Sequence, residues 1–234
     1  MSSELAVPDD AGAAEEAPRR YPQLRFIMPP GATEIVLVRH GESMPVDPAR
    51  PFPLLDGRGD PELAPGGRAQ AVLIAERLAK SEVHAIYVTP LRRTAETAEP
   101  LASRLGLVPV VEAGLVEVHL GEWGDGSYRQ KVSERDPLAI EMISKERWDV
   151  IPGAESNEEV RARVEDAIER IAARHRDQRV VAFAHGGSIG AVLARAAGSR
   201  PFAFVGSDNG AISRLVVDRD RWLIRSFNDR SHLD

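Results

Sequence analysis

A short apolar strand that runs straight into Arg-His-Gly constrains this sequence more than any other feature. Residues 34–38 read Glu-Ile-Val-Leu-Val, and Arg39, His40 and Gly41 follow directly. A short run this rich in Val and Ile is typical of a buried strand in a parallel sheet. Because open α/β sheets bind ligands at the carboxyl ends of their strands, Arg39 and His40 are predicted to stand at a binding edge. Gly41 lets the backbone turn tightly there and approach a ligand.

The same pattern returns late in the chain. Residues 179–184 read Arg-Val-Val-Ala-Phe-Ala and lead into His185, Gly186 and Gly187. A helix that starts after these glycines would direct backbone N–H groups at a bound anion. The two His-Gly turns are therefore predicted to meet at the same edge of one sheet.

Apolar runs and helical periodicity alternate along the chain, which indicates an α/β fold. We predict a three-layer α/β/α arrangement with a central, mostly parallel sheet. The helix at 156–174 has the strongest signal, with Ser156 or Asn157 as its cap and acids in its first turn. The other predicted elements are a helix at 63–80, a strand at 85–89, a helix that starts at Pro90 with Thr89 as its cap, an edge strand at 108–112, a helix near 137–147, a helix at 188–197 and a hairpin of strands at 212–217 and 222–227.

Composition sets the limits on function. The chain has 234 residues and a formal charge of -6, but residues 1–18 hold five acids and no Lys or Arg, so the remainder is nearly balanced. No basic stripe indicates nucleic-acid binding, no apolar run is long enough to span a membrane, and no secretory signal is recognisable. Cysteine is absent, which excludes a thiolate nucleophile. We expect a disordered acidic tail at 1–30, a single domain at 31–234 and a cytoplasmic protein.

The residues at the predicted strand ends suit a phosphate-like dianion. His40 and His185 supply imidazoles, Arg39 and Arg93 supply guanidiniums whose planar forks match phosphate oxygens, and Glu117 supplies a carboxyl group. A histidine could attack phosphorus while a carboxylic acid protonates the leaving oxygen. Taken singly, Arg-His-Gly is equally consistent with a polar turn at a strand end.

Eight segments, in order, resemble the histidine phosphatase superfamily, which includes cofactor-dependent phosphoglycerate mutases and many phosphomonoesterases. The resemblance covers residues 34–217. The matching segments are Val-Arg-His-Gly-Glu-Ser at 38–43, Leu-Ala-Pro-Gly-Gly at 63–67, Thr-Pro-Leu-Arg-Arg at 89–93, Leu-Val-Glu at 115–117, Gly-Glu-Trp at 121–123, Pro-Gly-Ala-Glu-Ser at 152–156, Ala-His-Gly-Gly-Ser at 184–188 and Asn-Gly-Ala-Ile-Ser at 209–213.

This resemblance implies a phosphohistidine mechanism that needs neither a metal nor another cofactor. His40 would be the nucleophile, Arg39 and Arg93 would hold the phosphoryl oxygens, and His185 with Gly186 would complete the phosphate pocket. Glu117 would first be the general acid and then the base that activates water. Arg92 is expected to point to solvent, Glu155 to cap the long helix, Glu42 to be a structural acceptor and Trp123 to pack or line the pocket. The remaining histidines, expected to be structural or on the surface, are His84, His119, His175 and His232.

Two departures separate this chain from the mutases. Met-Pro-Val-Asp at 44–47 stands where mutases carry Trp-Asn, and residues 145–152 lack their arginine pair. Both changes favour access of water to phosphohistidine, so a phosphatase that releases inorganic phosphate from a small phosphorylated metabolite is predicted ahead of a mutase. An inactive relative that acts as a binding module is the second alternative.

Two further questions stay open at this level. A metal-dependent hydrolase could use His40, His185 and Glu117 as ligands, although the nearby arginines would repel a divalent cation. The sequence does not fix the oligomeric state, and a homodimer is one state it allows.

Five basic residues in loops predicted to border the pocket suggest an acidic substrate; they are Arg50, Arg58, Arg129, Lys131 and Arg135.

Overall fold

The computed structural model describes residues 21–219 and 221–234, and within them eight strands and six α-helices. The strands are β1 (Thr33–Arg39), β2 (Leu54–Leu55), β3 (Arg58–Gly59), β4 (Ala85–Val88), β5 (Val110–Val111), β6 (Arg179–Ala184), β7 (Ile212–Asp218) and β8 (Arg221–Asp229). The helices are α1 (Pro65–Leu78), α2 (Arg92–Leu105), α3 (Ser127–Ser133), α4 (Pro137–Lys145), α5 (Asn157–Arg174) and α6 (Gly186–Ala197).

Six of the strands form the central sheet, in the order β5-β4-β6-β1-β7-β8. The four strands from β5 to β1 are parallel to one another, whereas β7 is antiparallel to β1 and β8 is antiparallel to β7. β5 lies at the sheet edge, as the proline at 109 predicts. Proline has no backbone N–H to donate to a neighbouring strand, so it is tolerated at an edge and not in the middle of a sheet. The antiparallel hairpin of β7 and β8 extends the opposite side.

Side chains of β1 alternate between two cores, because successive residues of a strand face opposite sides of the sheet. Ile35 and Leu37 pack with the buried stripe of α5 and with α6, whereas Val36 and Val38 pack with α1 and α2. Both faces of the strand are therefore covered, which is why its sequence reads as a continuous apolar run. The predicted three-layer α/β/α fold with a mostly parallel sheet is confirmed.

The long helix α5 starts where its sequence predicts. Ser156 is the N-cap: its hydroxyl accepts from the backbone N–H of Glu159, and the Glu159 side chain accepts from the Ser156 N–H. This reciprocal capping box satisfies two donors that the first helical turn leaves free. The prediction that Glu155 caps this helix is wrong, because its carboxylate bonds instead to His119 and to arginines outside the first turn.

The start of α2 also differs from its prediction. The helix begins at Arg92 with Leu91 as N-cap, not at Pro90, and the N-cap side chain makes no capping hydrogen bond. The carboxylate of Asp60 instead accepts from the backbone N–H of Arg92 at 2.8 Å. The hydroxyl of Thr89 accepts a long 3.3 Å hydrogen bond from Leu91 N, but it also lies 2.9 Å from the imidazole of His185. Thr89 therefore contacts a distant residue, His185, and is not the N-cap of α2.

The predicted N-terminal tail is described only in part, since residues 1–20 lie outside the described residues. Residues 21–29 form neither helix nor strand, and most of them are exposed. Among the helices of residues 21–219 and 221–234, none is long and apolar enough to cross a membrane.

Candidate active site

Three neighbouring parallel strands end at one edge of the sheet and bring the predicted residues together. β1 ends at Arg39 and is followed by His40, β6 is followed by His185, and β4 leads through Thr89 into the first turn of α2, which carries Arg93. Because β4, β6 and β1 are adjacent and parallel, their carboxyl ends converge as the sequence predicts. The imidazole rings of His40 and His185 lie 5.2 Å apart between centroids.

The hydrogen bonds of His40 assign its tautomer. Its Nδ1 lies 2.7 Å from the carbonyl oxygen of Gly41, which can only accept, so Nδ1 carries the proton. Its Nε2 accepts a 3.2 Å hydrogen bond from Nε of Arg93 and therefore holds the lone pair. The backbone carbonyl of His40 is in turn held by the side-chain amide of Asn209 at 3.0 Å. The ring is fixed with its unprotonated nitrogen beside a guanidinium.

The same surroundings keep His40 neutral. Burial lowers its pKa well below the usual value of 6.5, and the positive charges of Arg93 and Arg39 lower it further. Removing water and adding nearby cations both disfavour an imidazolium. His40 thus presents a neutral, unprotonated Nε2 at neutral and mildly acidic pH.

His185 lies behind His40 and is completely buried. Its Nε2 contacts the hydroxyl of Thr89 at 2.9 Å, and within the described residues its buried Nδ1 has no hydrogen-bond partner. Burial lowers the pKa of His185 well below 6.5, with further contributions from the charge of Arg93 and from His40. Both imidazoles are therefore neutral in the folded protein.

Two arginines bring permanent positive charge to these rings. Arg93 is buried and donates from Nη1 to the carbonyl oxygen of Gly59 at 2.8 Å. Burial lowers its pKa to about 10, which leaves it charged at neutral pH. Arg39 donates from Nη1 to the carbonyl oxygen of Ser207, and its buried Nε has no partner in the part of the chain that the structure describes.

Glu117 follows a short 3-10 turn at Ala113–Leu115 and faces the N-terminus of α6. Its Oε1 accepts from the backbone N–H of Val118 at 3.0 Å and from that of Gly187 at 3.1 Å. A Cβ at position 187 would come within 2.6 Å of this carboxylate oxygen, so the close approach requires glycine. The first turn of α6, which follows the N-cap residue His185, thereby holds the Glu117 carboxylate.

A cleft of about 230 Å³ lies at this edge of the sheet, and the predicted binding residue His185 does not line it. Arg39, His40, Arg93, Glu117 and Gly186 all contribute to its surface, and Trp123, Tyr128 and Trp148 form an aromatic wall. Burial and the nearby Glu117 raise the pKa of the Tyr128 hydroxyl, which keeps it protonated. The cleft therefore combines a cationic, imidazole-bearing floor with an aromatic side.

Residues 35–230 of this chain match the family model of the histidine phosphatase superfamily (branch 1). The chain belongs to the histidine phosphatase superfamily. The predicted family is thus confirmed.

Relatives within the superfamily carry both phosphatase and mutase-like names. Phosphoglycerate mutase-like protein 4 of Arabidopsis thaliana is 36% identical over 206 residues, which cover 86% of this chain and 87% of the relative. The metal-independent phosphoserine phosphatase of the same organism is also 36% identical, over 86% of this chain and 83% of its own. The native structure of a mycobacterial glucosyl-3-phosphoglycerate phosphatase has a TM-score of 0.69 at 29% identity and covers 84% of this chain and 99% of its own.

Most other residues singled out in the sequence lie outside the cleft. Arg92 is half exposed and pairs with Glu62 and Glu96. Glu42 is exposed and does not line the cleft, and its carboxylate accepts no hydrogen bond within the described residues, so its expected role as a structural acceptor is wrong. Trp123 is buried and also lines the cleft, so both of its predicted positions hold. The four remaining histidines bond to other parts of the chain and are absent from the lining; they are His84, His119, His175 and His232.

Of the five basic loop residues, two reach the cleft. Arg58 and Arg129 line it, whereas Arg50 pairs with Asp47 and Lys131 pairs with Asp136 away from the lining, and Arg135 is exposed.

The sequence did not predict the contact of Thr89 with His185, nor that Tyr128 and Trp148 line the cleft. The strand-end position of Thr89 was a usable signal, because it immediately follows β4. No group of three or more His, Asp or Glu side chains in residues 21–219 and 221–234 is placed to hold a metal ion.

Proposed function

We propose that this protein hydrolyses a small phosphate monoester through a phosphohistidine on Nε2 of His40, with no metal. The neutral His40 that directs its Nε2 lone pair at the Arg93 guanidinium is the observation that carries the proposal. A nucleophile needs that lone pair, and a phosphoryl group needs that cation. The superfamily assignment and the phosphatase names of its relatives support the same reaction.

The first half of the reaction transfers the phosphoryl group to the enzyme. Arg39 and Arg93 bind its oxygens, and Arg93 then donates to the substrate instead of to His40, which frees the Nε2 lone pair. Nε2 forms a bond to phosphorus as the ester P–O bond breaks. The bonding pair stays on the leaving oxygen, which takes a proton from Glu117. Guanidiniums already in place stabilise this loose transition state without reorganisation.

The second half returns the enzyme to its starting state. The Glu117 carboxylate removes a proton from water, whose oxygen bonds to phosphorus as the P–N bond breaks. Nε2 of His40 regains its lone pair, and inorganic phosphate leaves with the water oxygen. His185 lies against His40 as a neutral ring and adds no positive charge that would hold the product.

The charge balance of the cleft indicates the kind of substrate. Arg58 is paired with Glu155, but Arg39, Arg93 and Arg129 form no ion pair among the residues that the structure describes. Arg129 is held instead by neutral acceptors, Ser43 Oγ at 2.7 Å and Met44 O at 2.8 Å, and its guanidinium lies over the ring of Phe52. Once Glu117 is protonated, three guanidiniums exceed the charge of a phosphate dianion by one. The preferred substrate therefore carries a further negative group, such as the carboxylate of a phosphorylated hydroxy acid or amino acid.

The mutase alternative fits this site less well. A mutase must retain its phosphorylated intermediates and keep water from phosphohistidine. The segment 44–47 lacks the Trp-Asn pair of mutases, and Arg129 is bonded to the backbone at its start. Phosphatase-named relatives favour hydrolysis in the same way.

The test is phosphate release from p-nitrophenyl phosphate and from phosphorylated metabolites, with EDTA present throughout. Wild type should be active, His40→Asn inactive, and His84→Asn, which alters a histidine outside the cleft, unchanged. A brief incubation with radiolabelled substrate should leave a label on wild type that acid releases and alkali does not. Activity that EDTA abolishes would support the metal-dependent alternative. A folded protein with neither turnover nor label would support a binding module.

A further inference from the structure

Glu117 lies in a segment whose backbone has few regular hydrogen bonds. It stands between two 3-10 turns, Ala113–Leu115 and Gly121–Trp123, and belongs to no helix or strand. Connecting segments are ordinarily more mobile than the elements they join. A group that must deliver a proton to one oxygen needs a fixed position, since a displacement of about 1 Å can cost about 10²-fold in rate. Something other than secondary structure must hold this segment.

Arg163 of α5 and Arg58 of β3 hold it by its carbonyl oxygens. Arg163 donates from Nη1 to Gly114 O at 2.9 Å and to Val116 O at 2.8 Å, and from Nη2 to Glu117 O at 3.3 Å. Arg58 donates from Nε to the same Glu117 O at 2.7 Å. Two guanidiniums from distant parts of the chain thus converge on the backbone of Glu117.

Glu155 joins these two arginines. Its Oε1 accepts from Arg163 Nε at 2.7 Å, and its Oε2 accepts from Arg163 Nη2 at 2.9 Å and from Arg58 Nη2 at 3.4 Å. Oε2 also accepts from the backbone N–H of His119 at 2.6 Å, two residues beyond Glu117. All three charged side chains are largely buried, with exposed fractions of 16–20%.

We infer that Glu155 is a positioning residue that holds the general acid in place through Arg163 and Arg58; this rests on the role proposed above for Glu117. Removing the charge of a largely buried carboxylate leaves its cations uncompensated, so the arginines would turn towards other acceptors. The carbonyls at 114, 116 and 117 would then lose their donors. Burial raises the pKa of Glu155, but hydrogen bonds and charge from Arg163 more than offset this and leave it below its usual value. The carboxylate therefore stays ionised in mild acid.

The first measurement compares leaving groups in Glu155→Gln. p-Nitrophenolate leaves with little help from an acid, whereas an alkoxide needs a proton. The comparison uses kcat/KM, which reports phosphoryl transfer to His40 and not the later hydrolysis in which Glu117 is the base. We expect kcat/KM for an alkyl phosphate to fall by about 10- to 100-fold and that for p-nitrophenyl phosphate by less than about 3-fold, as a displaced acid requires. Inhibition by inorganic phosphate should not change, because Arg39, Arg93 and His40 remain in place.

Glu165→Gln is the matched control. Glu165 lies on α5, as Arg163 does, and forms the same kind of ion pair, with Arg195 at 2.7 Å. Its side chain is 26% exposed against 17% for Glu155, and it does not contact the 114–119 segment. It should leave the ratio of the two rates unchanged. Arg163→Lys keeps the charge but loses the planar fork, and it should change the ratio in the same direction as Glu155→Gln.

The second measurement does not depend on turnover. Glu155 does not touch Gly187, whose backbone N–H donates to Glu117 Oε1. In Glu155→Gln the amide resonance of Gly187 should shift and its hydrogen exchange should accelerate, while the amide of Ile35 in β1 keeps its protection. An unchanged Gly187 amide, or equal losses with both substrates in a folded variant, would overturn the inference. An inactive wild type would refute the proposed function, and the Gly187 amide would still decide whether Glu155 positions Glu117.

Discussion

Replacing Thr89 by Val removes the hydroxyl that contacts His185 and keeps the shape of the side chain. Thr89 is 2% exposed, and its Oγ1 lies 2.9 Å from His185 Nε2, 3.1 Å from Thr94 Oγ1 and 3.3 Å from Leu91 N. The Val side chain would leave Nε2 of His185 and the Leu91 N–H facing a methyl group. Since Nδ1 of His185 already lacks a partner among the described residues, the imidazole would keep no hydrogen bond at all.

The size of the effect follows from these two buried groups. A buried polar group without a partner costs about 1–3 kcal/mol, so for two such groups we expect the free energy of unfolding to fall by about 2–6 kcal/mol. For a domain of this size that corresponds to a fall in Tm of about 4–24 °C. Thr89→Ser keeps the hydroxyl and loses one buried methyl group, which costs about 1 kcal/mol. The difference between the two variants isolates the hydrogen bonds.

Thermal and urea unfolding of both variants measure the stability, and inhibition by inorganic phosphate measures the site. His185 does not line the cleft but packs against the ring of His40, with 5.2 Å between the ring centroids. A His185 that rotates freely would no longer support that ring, which should weaken phosphate binding in Thr89→Val by about tenfold, or about 1.4 kcal/mol. Thr89→Ser should bind phosphate as wild type does. If Thr89→Val is no less stable than Thr89→Ser and binds phosphate equally well, then Thr89 does not hold His185 and the reasoning is refuted.

Three further predictions concern proton transfer, acid stability and substrate charge. Glu117→Gln should lower kcat/KM for alkyl phosphates by about 10²- to 10⁴-fold and kcat/KM for p-nitrophenyl phosphate much less; equal losses in kcat/KM would count against proton donation. Because the folded pKa values of His40 and His185 lie below 6.5, the unfolded chain binds more protons below that pH. Stability should therefore fall as the pH drops below about 6.5, by at most about 1.4 kcal/mol per pH unit for each histidine, and urea unfolding of His40→Asn should show a shallower dependence. Arg129→Met should lower kcat/KM about tenfold or more for O-phosphoserine relative to phosphoethanolamine, which lacks the carboxylate, while Arg50→Met leaves the ratio unchanged.

The sequence predicts those parts of the site that follow from strand ends. Apolar runs before His40 and His185 identify two buried strands, and parallel strands necessarily bring their carboxyl ends to one edge. Arg93 is predictable because the turn after β4 joins the same edge. Fold class and the convergence of these residues could be inferred before any coordinates, since they depend on local pattern and on one topological rule.

Contacts between distant segments could not be predicted in this way. Glu155 precedes a helix and so resembles a cap, but its partners His119 and Arg58 lie 36 and 97 residues away. Likewise, the 2.9 Å contact of Thr89 with His185 joins residues 96 positions apart. Local propensity contains no information on such pairs. Which residues of α3 and of the 3-10 turn Trp148–Val150 line the cleft also depends on how these segments pack against the rest of the chain.

The buried site separates two electrostatic tasks that one type of side chain could not perform together. Burial keeps the imidazoles of His40 and His185 neutral, so the nucleophile holds its lone pair even in mild acid. The same burial lowers the pKa of Arg93 only to about 10, so the cation that binds the phosphoryl group persists. A lysine in that position, with its lower intrinsic pKa and readier response to burial, would be less certain to stay charged. The neutral nucleophile, Nε2 of His40, and the permanent cation, Nε of Arg93, can therefore lie 3.2 Å apart, and proton transfer is left to Glu117.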